Sequence, residues 1–343
     1  MSFRVLHFFT QPTAVSRHTI IDQVLLLICL GWTALLVSCS NTDVTTLGDW
    51  QTRSDLDGVG RSAATGFVIG NITYIGTGTT ATNELLKDFW AYNQASNAWT
   101  QVADFGGSTR NSAVGFAVGT KGYVGTGINA NSTLLRDFWE FDPTTNTWNQ
   151  IADFAGTARR NAVSFSINNK GFVGTGYDGN YLKDFWTYDP AEGTWEKAVS
   201  FGGGKRLGAV SFIINNIAYV GTGTNGASLT DWWAYDPAQD LWIEKDEFDT
   251  DNGEYVARSY GVGFAIGSRG YITSGDTGTT VWQYNPDTDS WAEYGVFEGG
   301  TRSYAFGFAI NGKGYITTGS NGTTSFDDLW EFDPTIEQDT STN

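Results

Sequence analysis

Asp137-Phe-Trp-Glu-Phe-Asp-Pro-Thr-Thr-Asn-Thr-Trp148 is one of six related segments in this chain. Asp88-Phe-Trp-Ala-Tyr-Asn93, Asp184-Phe-Trp-Thr-Tyr-Asp-Pro190 and Asp231-Trp-Trp-Ala-Tyr-Asp-Pro237 are close copies. Thr280-Val-Trp-Gln-Tyr-Asn-Pro286 and Asp328-Leu-Trp-Glu-Phe-Asp-Pro334 are looser ones. Their first tryptophans stand at 90, 139, 186, 233, 282 and 330, a period of 47 to 49 residues. A repeat of that length is one supersecondary unit that cannot bury its faces alone and must pack on its neighbours. The 343 residues are therefore expected to form one large repeat domain rather than two or three ordinary ones.

Within a repeat the offsets hold with little drift. Trp50, Trp99, Trp148, Trp195 and Trp291 are each followed eleven residues later by an arginine, namely Arg61, Arg110, Arg159, Arg206 and Arg302. After Trp242 an insertion delays Arg258 to sixteen. Three residues past each Arg stands a small residue (Ala64, Ala113, Ala162, Ala209, Gly261, Ala305), and three further on a Phe (67, 116, 165, 212, 264, 308). One strand face is thus small and the other bulky, which suits an innermost strand where sheets crowd an axis. Short apolar runs bounded by Gly, Asn and Asp give four strands per repeat, and four strands per repeat of this length predict a propeller blade. The 43 glycines and the abundant aromatics agree with an all-β chain. After Trp330 the chain ends without a second Trp, whereas Gly48-Asp-Trp50-Gln-Thr52 precedes the first repeat. The N-terminal strand is expected to complete the last blade and close a six-bladed ring.

The succession of Arg, an apolar strand, Tyr-Val-Gly-Thr-Gly and Trp-x-Tyr-Asp-Pro-x-x-x-x-Trp resembles the kelch motif, with Gly-Thr-Gly where the family has a Gly-Gly pair. The resemblance covers 48–334, so the chain is expected to be a six-bladed kelch-type β-propeller. Kelch propellers mostly bind partners and a minority are enzymes, so the fold alone does not name an activity.

The first forty residues differ in kind. Val24 to Val37 is an apolar run of fourteen, preceded by Arg4 and Arg17. It is short for a membrane span and right for a secretory segment. Leu36-Val-Ser-Cys39 resembles the lipobox of bacterial lipoproteins, which would make Cys39 the lipidated residue; an ordinary signal peptide or N-terminal anchor is the alternative. The expected organisation is a lipoprotein-type signal at 1–38, a linker at 39–47, the propeller at 48–334 and a tail at 335–343. Export and lipid anchoring in a bacterial cell envelope follow, as an expectation. The net charge of −17 argues against nucleic acid as a partner, and the protein is expected to be a monomer without cofactor.

Composition also restricts the chemistry. Both histidines, His7 and His18, and both cysteines, Cys29 and Cys39, lie in the leader segment. Galactose oxidase, the best-known kelch enzyme, needs copper held by histidines and tyrosines and a cysteine cross-linked to one tyrosine; this propeller has neither imidazole nor thiol. Catalysis by Ser-His-Asp or Cys-His groups is excluded with it. The insertion Glu247-Phe-Asp-Thr-Asp-Asn-Gly-Glu254 is rich in oxygen ligands but lacks EF-hand spacing, so no metal is assigned.

In an up-and-down blade, the loops joining strands two to three and four to one share a face. The candidate ligand-binding residues on that face are Arg61, Arg110, Arg159, Arg206, Arg258 and Arg302, with Tyr260, Tyr304, Tyr177 and Tyr181; Arg160 adds a seventh arginine. Planar bidentate donors suit a carboxylate-bearing ligand. Equally, each Arg can reach the Asp that begins its own blade's third strand, because a feature repeated in every blade reads as scaffold. Blade five has Thr280 in place of that Asp, so Arg258 is expected to be the least tied. The leading expectation is a non-enzymatic module binding a carbohydrate or protein partner, with the variable loops 79–84, 128–133, 177–181 and 224–228 setting specificity. The rival, suggested by exported six-bladed kelch proteins that are sialic acid mutarotases, is a cofactor-free sugar mutarotase. It would use Arg258 or Arg302 as clamp and Glu254 or Asp276 as the titrating carboxylate.

Overall fold

The computed structural model describes residues 47–248 and 257–338. Six four-stranded antiparallel sheets succeed one another along the chain. Blade 1 runs Thr65–Ile69, Ile72–Gly76, Phe89–Asn93 and Ala98–Val102, from the innermost strand outward. Blades 2 to 5 repeat this order, with inner strands Val114–Val118, Val163–Ile167, Val210–Ile214 and Val262–Ile266. Blade 6 takes Phe306–Ile310, Lys313–Thr317 and Leu329–Glu337 from the C-terminal end and Leu47–Arg53 from the N-terminal end.

The ring closes as expected. Trp50 pairs with Phe332 and Thr52 with Trp330 in antiparallel register. Arg53 adds a two-point ion pair to Glu331, whose other hydrogen bond comes from the Tyr315 hydroxyl. The last strand continues to Glu337, past Pro334 where the motif ends. That extension lets it cover the whole length of the closing strand, down to the Leu47–Glu337 pair.

Blade-to-blade packing explains the Phe repeat. Phe67 of blade 1 lies over Gly122 of blade 2, and a Cβ on that glycine would fall inside the ring. Phe116 over Gly171, Phe212 over Gly270 and Phe264 over Gly314 repeat the arrangement. The small partner of these four inner-strand phenylalanines is thus on the second strand of the next blade. The small residue three positions after each Arg instead packs on its own blade's Gly-Thr-Gly turn, as Ala64 does against Gly78. The two tryptophans of a repeat also differ in role. Trp99, Trp148 and Trp242 sit in the aromatic layers between blades, Trp148 in edge contact with Phe89 of the preceding blade and with Phe105 of the connection between the two.

Sharp local turns hold the strands in register. Asn168 and Asn169 have φ of 52° and 60°, and Asn215 and Asn216 have 51° and 65°. Two consecutive left-handed residues make a two-residue hairpin whose twist matches that of the strands, and asparagine tolerates that conformation.

Candidate functional site

The loops joining second to third and fourth to first strands lie on one face and interlock there. The backbone of Ser62 bridges Thr79, Arg160 bridges Tyr177, Leu207 bridges Thr224, and Ser303 bridges Ser320. Gly78 N–H donates across the blade boundary to Arg110 O, Gly127 to Arg159 O and Gly176 to Arg206 O, each at 2.8 Å.

The six blade arginines are inside this layer rather than on it. Arg61, Arg110, Arg159 and Arg302 are completely buried, and Arg206 and Arg258 nearly so. Five meet the Asp of their own blade's third strand: Arg61 with Asp88, Arg110 with Asp137, Arg159 with Asp184, Arg206 with Asp231 and Arg302 with Asp328. Arg110 Nη1 and Nη2 donate to the two oxygens of Asp137 at 2.8 and 2.6 Å, and Nη1 also donates to Thr126 O at 2.9 Å. Its Nε donates to Ser108 O at 3.1 Å, and its plane lies 4.7 Å from the centre of the Phe105 ring. Their donors are thus engaged within the blade. These five side chains do not present a guanidinium to the open face, and Arg302 is not free to clamp a ligand.

Two residues after each arginine the chain turns through a left-handed residue: Ala63, Ser112, Asn161, Gly208, Tyr260 and Tyr304, with φ between 51° and 61°. Each donates its N–H to the carbonyl of the equivalent residue one blade back. Ser112 bonds Ala63, Asn161 bonds Ser112, Gly208 bonds Asn161, Tyr260 bonds Gly208, Tyr304 bonds Tyr260, and Ala63 bonds Tyr304, at 2.9 to 3.1 Å. Six residues from six blades so form a closed hydrogen-bonded iris. Its register has no common residue type, which is why it cannot be seen in the sequence. Beneath it runs the central channel, about 550 Å³, lined by the inner strands. A smaller hollow of about 110 Å³ sits among Ala63, Ser112, Asn161, Gly208 and Tyr304 themselves.

Side chains at the iris are asymmetric. Tyr260 lies over Gly208, where a Cβ would be 2.6 Å from the ring, and Tyr304 stacks on Tyr260 with centroids 4.1 Å apart. Burial, then hydrogen bonding to Tyr260, pushes the Tyr304 phenol well above its ordinary range; Arg160 opposes that shift electrostatically and Asp276 adds to it. Arg160 is half-buried, lies 5.8 Å from the centre of the Tyr177 ring, and Tyr177 meets Tyr181 edge-on at 5.5 Å. The Tyr181 hydroxyl reaches the Gly226 turn of blade 4. Asp276, exposed, accepts hydrogen bonds from Ser259 N and Oγ at 2.7 Å each and from Ser228 Oγ at 3.3 Å. The expected tyrosines and Asp276 therefore do gather at one mouth. Arg160, one residue out of the buried register, is half-buried against Tyr177 at the same mouth, whereas Arg258 and Arg302 are buried beneath it.

Among the described residues, Arg160 and Arg258 are the arginines without an ion pair. Glu254, Cys39, the leader, and the acidic segment 247–254 apart from Glu247 and Phe248 lie outside the described residues.

Residues 39–206 match the family model of the KLHDC2/KLHL20/DRC7 kelch-repeats domain. No curated protein matches the sequence. Among solved structures, "Structure of YjhT" is similar, with a TM-score of 0.69 at 17% identity, over 81% of this chain and 95% of that one. At that identity the likeness concerns the fold. With six four-stranded blades, the closing N-terminal strand and the repeated Arg–Asp pair, the chain is folded as a six-bladed β-propeller, of which residues 39–206 match a kelch-repeat family model.

Proposed function

We propose that the protein is a binding module whose carbohydrate or protein partner seats on the loop face around the iris. The observation that carries this is Arg160. Its neighbour Arg159 is wholly buried and paired, whereas Arg160 meets no carboxylate among the described residues and lies against Tyr177. A half-buried guanidinium on an aromatic ring keeps in-plane donors available, and that geometry suits a carboxylate. Tyr177, Tyr181 and Tyr304 add flat apolar surface with hydroxyl edges, the combination a sugar face or a peptide side chain can use. The five paired arginines support this face from below. The reading extends to placement: a lipid on Cys39 would hold the propeller at a bacterial membrane surface.

One observation favours a second reading, a cofactor-free mutarotase for an acidic sugar. Arg160 and Asp276 act electrostatically on the same half-buried phenol, Tyr304, so a cation and a titratable carboxylate flank one mouth. Ring opening of a sugar needs one group to take a proton and another to give one. Arg160 would hold the sugar carboxylate and Asp276 would move the proton. Arg258 and Arg302 are too deeply buried for the clamp.

Both readings are tested by melting the protein with a panel of neutral and acidic sugars. A ligand at a hundred times its dissociation constant adds roughly 2.7 kcal/mol. A shift confined to carboxylated sugars and lost in Arg160→Ala, with the unliganded midpoint unchanged, supports the site. Anomer exchange of the same sugar, followed by NMR with and without Asp276→Asn, separates binding from catalysis. A shift that survives Arg160→Ala places the ligand elsewhere.

A further inference from the structure

In five blades two donors from different strands converge on one carboxylate. Asp137 receives Arg110 Nη1 and Nη2 and also Trp139 Nε1, the last at 2.8 Å. Trp90 donates to Asp88 at 2.7 Å, Trp186 to Asp184 at 2.8 Å, Trp233 to Asp231 at 2.9 Å and Trp330 to Asp328 at 2.8 Å, each beside its arginine. In blades 1, 2, 3 and 6 the clasp is therefore a three-donor cradle built for a carboxylate, and in blade 4 Arg206 Nη2 and Trp233 Nε1 meet Asp231.

Blade 5 keeps the donors and loses the acceptor. Arg258 and Trp282 occupy the equivalent positions, but Thr280 stands where the Asp should be. Arg258 is 1% exposed and its guanidinium lies 5.2 Å from the centre of the Phe248 ring. Its Nη1 donates to Ser274 O at 3.3 Å, the counterpart of the Thr carbonyl bond in the other blades. Arg258 Nε and Trp282 Nε1 are buried and meet no acceptor among the described residues. Asp276, the carboxylate that acts on Arg258, has both oxygens committed to Ser259. Burial brings Arg258 down to about 10, with Asp276 partly offsetting it. A guanidinium held this deep without a counter-charge is costly, and an indole N–H with no acceptor adds to that cost.

We infer that Arg258 and Trp282 form an anion site in blade 5 that takes a small free monocarboxylate, formate- or acetate-sized, where the other blades use their own aspartate. The geometry selects a planar two-oxygen anion over a spherical one, since in four filled copies Arg Nη1 addresses one carboxylate oxygen while Arg Nη2 and Trp Nε1 converge on the other. The same chemistry could come from within the chain, from Asp249, Asp251 or Glu254 of the inserted segment, and the test separates the two sources.

The intact protein and its Thr280→Asp variant are melted against sodium formate at constant ionic strength. Thr280→Asp supplies the missing carboxylate, so it should melt higher than the parent and ignore formate. The parent should gain roughly 4 °C at a hundred times the formate dissociation constant. Trp282→Phe should need roughly tenfold more formate for the same gain, the effect of removing one donor to a charged acceptor. A parent that ignores formate, or one that responds no differently from both variants, overturns the proposal. If formate acts only on the Asp249→Asn/Asp251→Asn/Glu254→Gln variant, the chain supplies its own carboxylate and the free-anion site is refuted.

Discussion

Arg61 and Asp88 are joined by two hydrogen bonds of 2.7 Å, the guanidinium fully buried and the carboxylate partly open. Arg61 leads into the inner strand and Asp88 precedes the third, so the pair ties together strands separated by the second. Four more blades repeat it. Because the arginine side is dry, removing it should cost far more than removing an exposed cation. Arg110→Ala is expected to lower stability by about 3–5 kcal/mol, the usual cost of orphaning one member of a buried pair. Arg160→Ala should change it by less than about 0.5 kcal/mol. Denaturant melts of the two variants side by side check this, and equal losses would sink the division between scaffold and site arginines.

The same clasps set an acid limit. Burial alone would raise the carboxyls of Asp88, Asp137 and Asp184, but the hydrogen bonds and charge of their arginines, with the tryptophan N–H, hold all three below the ordinary range. A carboxylate depressed in the folded state stabilises fully above its unfolded pKa of about 3.9, and that contribution is lost as pH falls through the folded value. The midpoint of thermal unfolding should therefore be flat above about pH 5 and drop steeply below pH 4. Asp137→Asn should start lower at neutral pH and fall less steeply, so that the two curves approach each other near pH 2. Parallel curves would show that this carboxylate carries none of the acid sensitivity.

Inter-blade packing yields a size-swap test. Gly171 leaves no room for a side chain beside Phe116. Gly171→Val should destabilise by roughly 1–3 kcal/mol or more through overpacking. Adding Phe116→Leu to Gly171→Val should recover part of that loss, whereas Phe116→Leu alone should be destabilising. A double-mutant cycle in chemical denaturant measures the coupling. Purely additive effects would mean that the two residues do not share one space.

The blades, their closure and the arginine–aspartate clasps were legible from the residues because each repeats. Periodic Trp, Arg, Phe and Asp fix strands whose partners stand at constant offsets, and Trp50 showed where the missing outer strand came from. What was not legible is where the pattern carries no common side chain. The iris residues Ala63, Ser112, Asn161, Gly208, Tyr260 and Tyr304 share a backbone conformation and a hydrogen bond, not a chemistry. The outward turn of Arg160 was hidden for a similar reason: adjacent arginines in sequence give no sign of which faces the core. The left-handed φ of Asn161 and Gly208 was the available clue, since these two types favour it.

The iris can be tested through its one alanine. Ala63 has φ of 51°, donates its N–H to Tyr304 O and accepts from Ser112 N–H, both at 2.9 Å. A left-handed residue with a Cβ costs roughly 1–2 kcal/mol, against about 0.5–1 kcal/mol of extra chain entropy lost by glycine. Ala63→Gly should therefore be stabilising by up to about 1 kcal/mol. Ala63→Pro removes the donor and demands a negative φ, so it should cost about 3 kcal/mol or more and break the ring between blades 6 and 1. Hydrogen exchange gives the local readout, because the distorted backbone at residue 63 should expose the Ser112 amide, whose acceptor is the residue 63 carbonyl, in the proline variant while the glycine variant keeps it protected. If both variants lose stability to a similar extent, the left-handed conformation is not what the position demands, and the iris is a consequence of blade packing rather than a clasp that holds the blades in register.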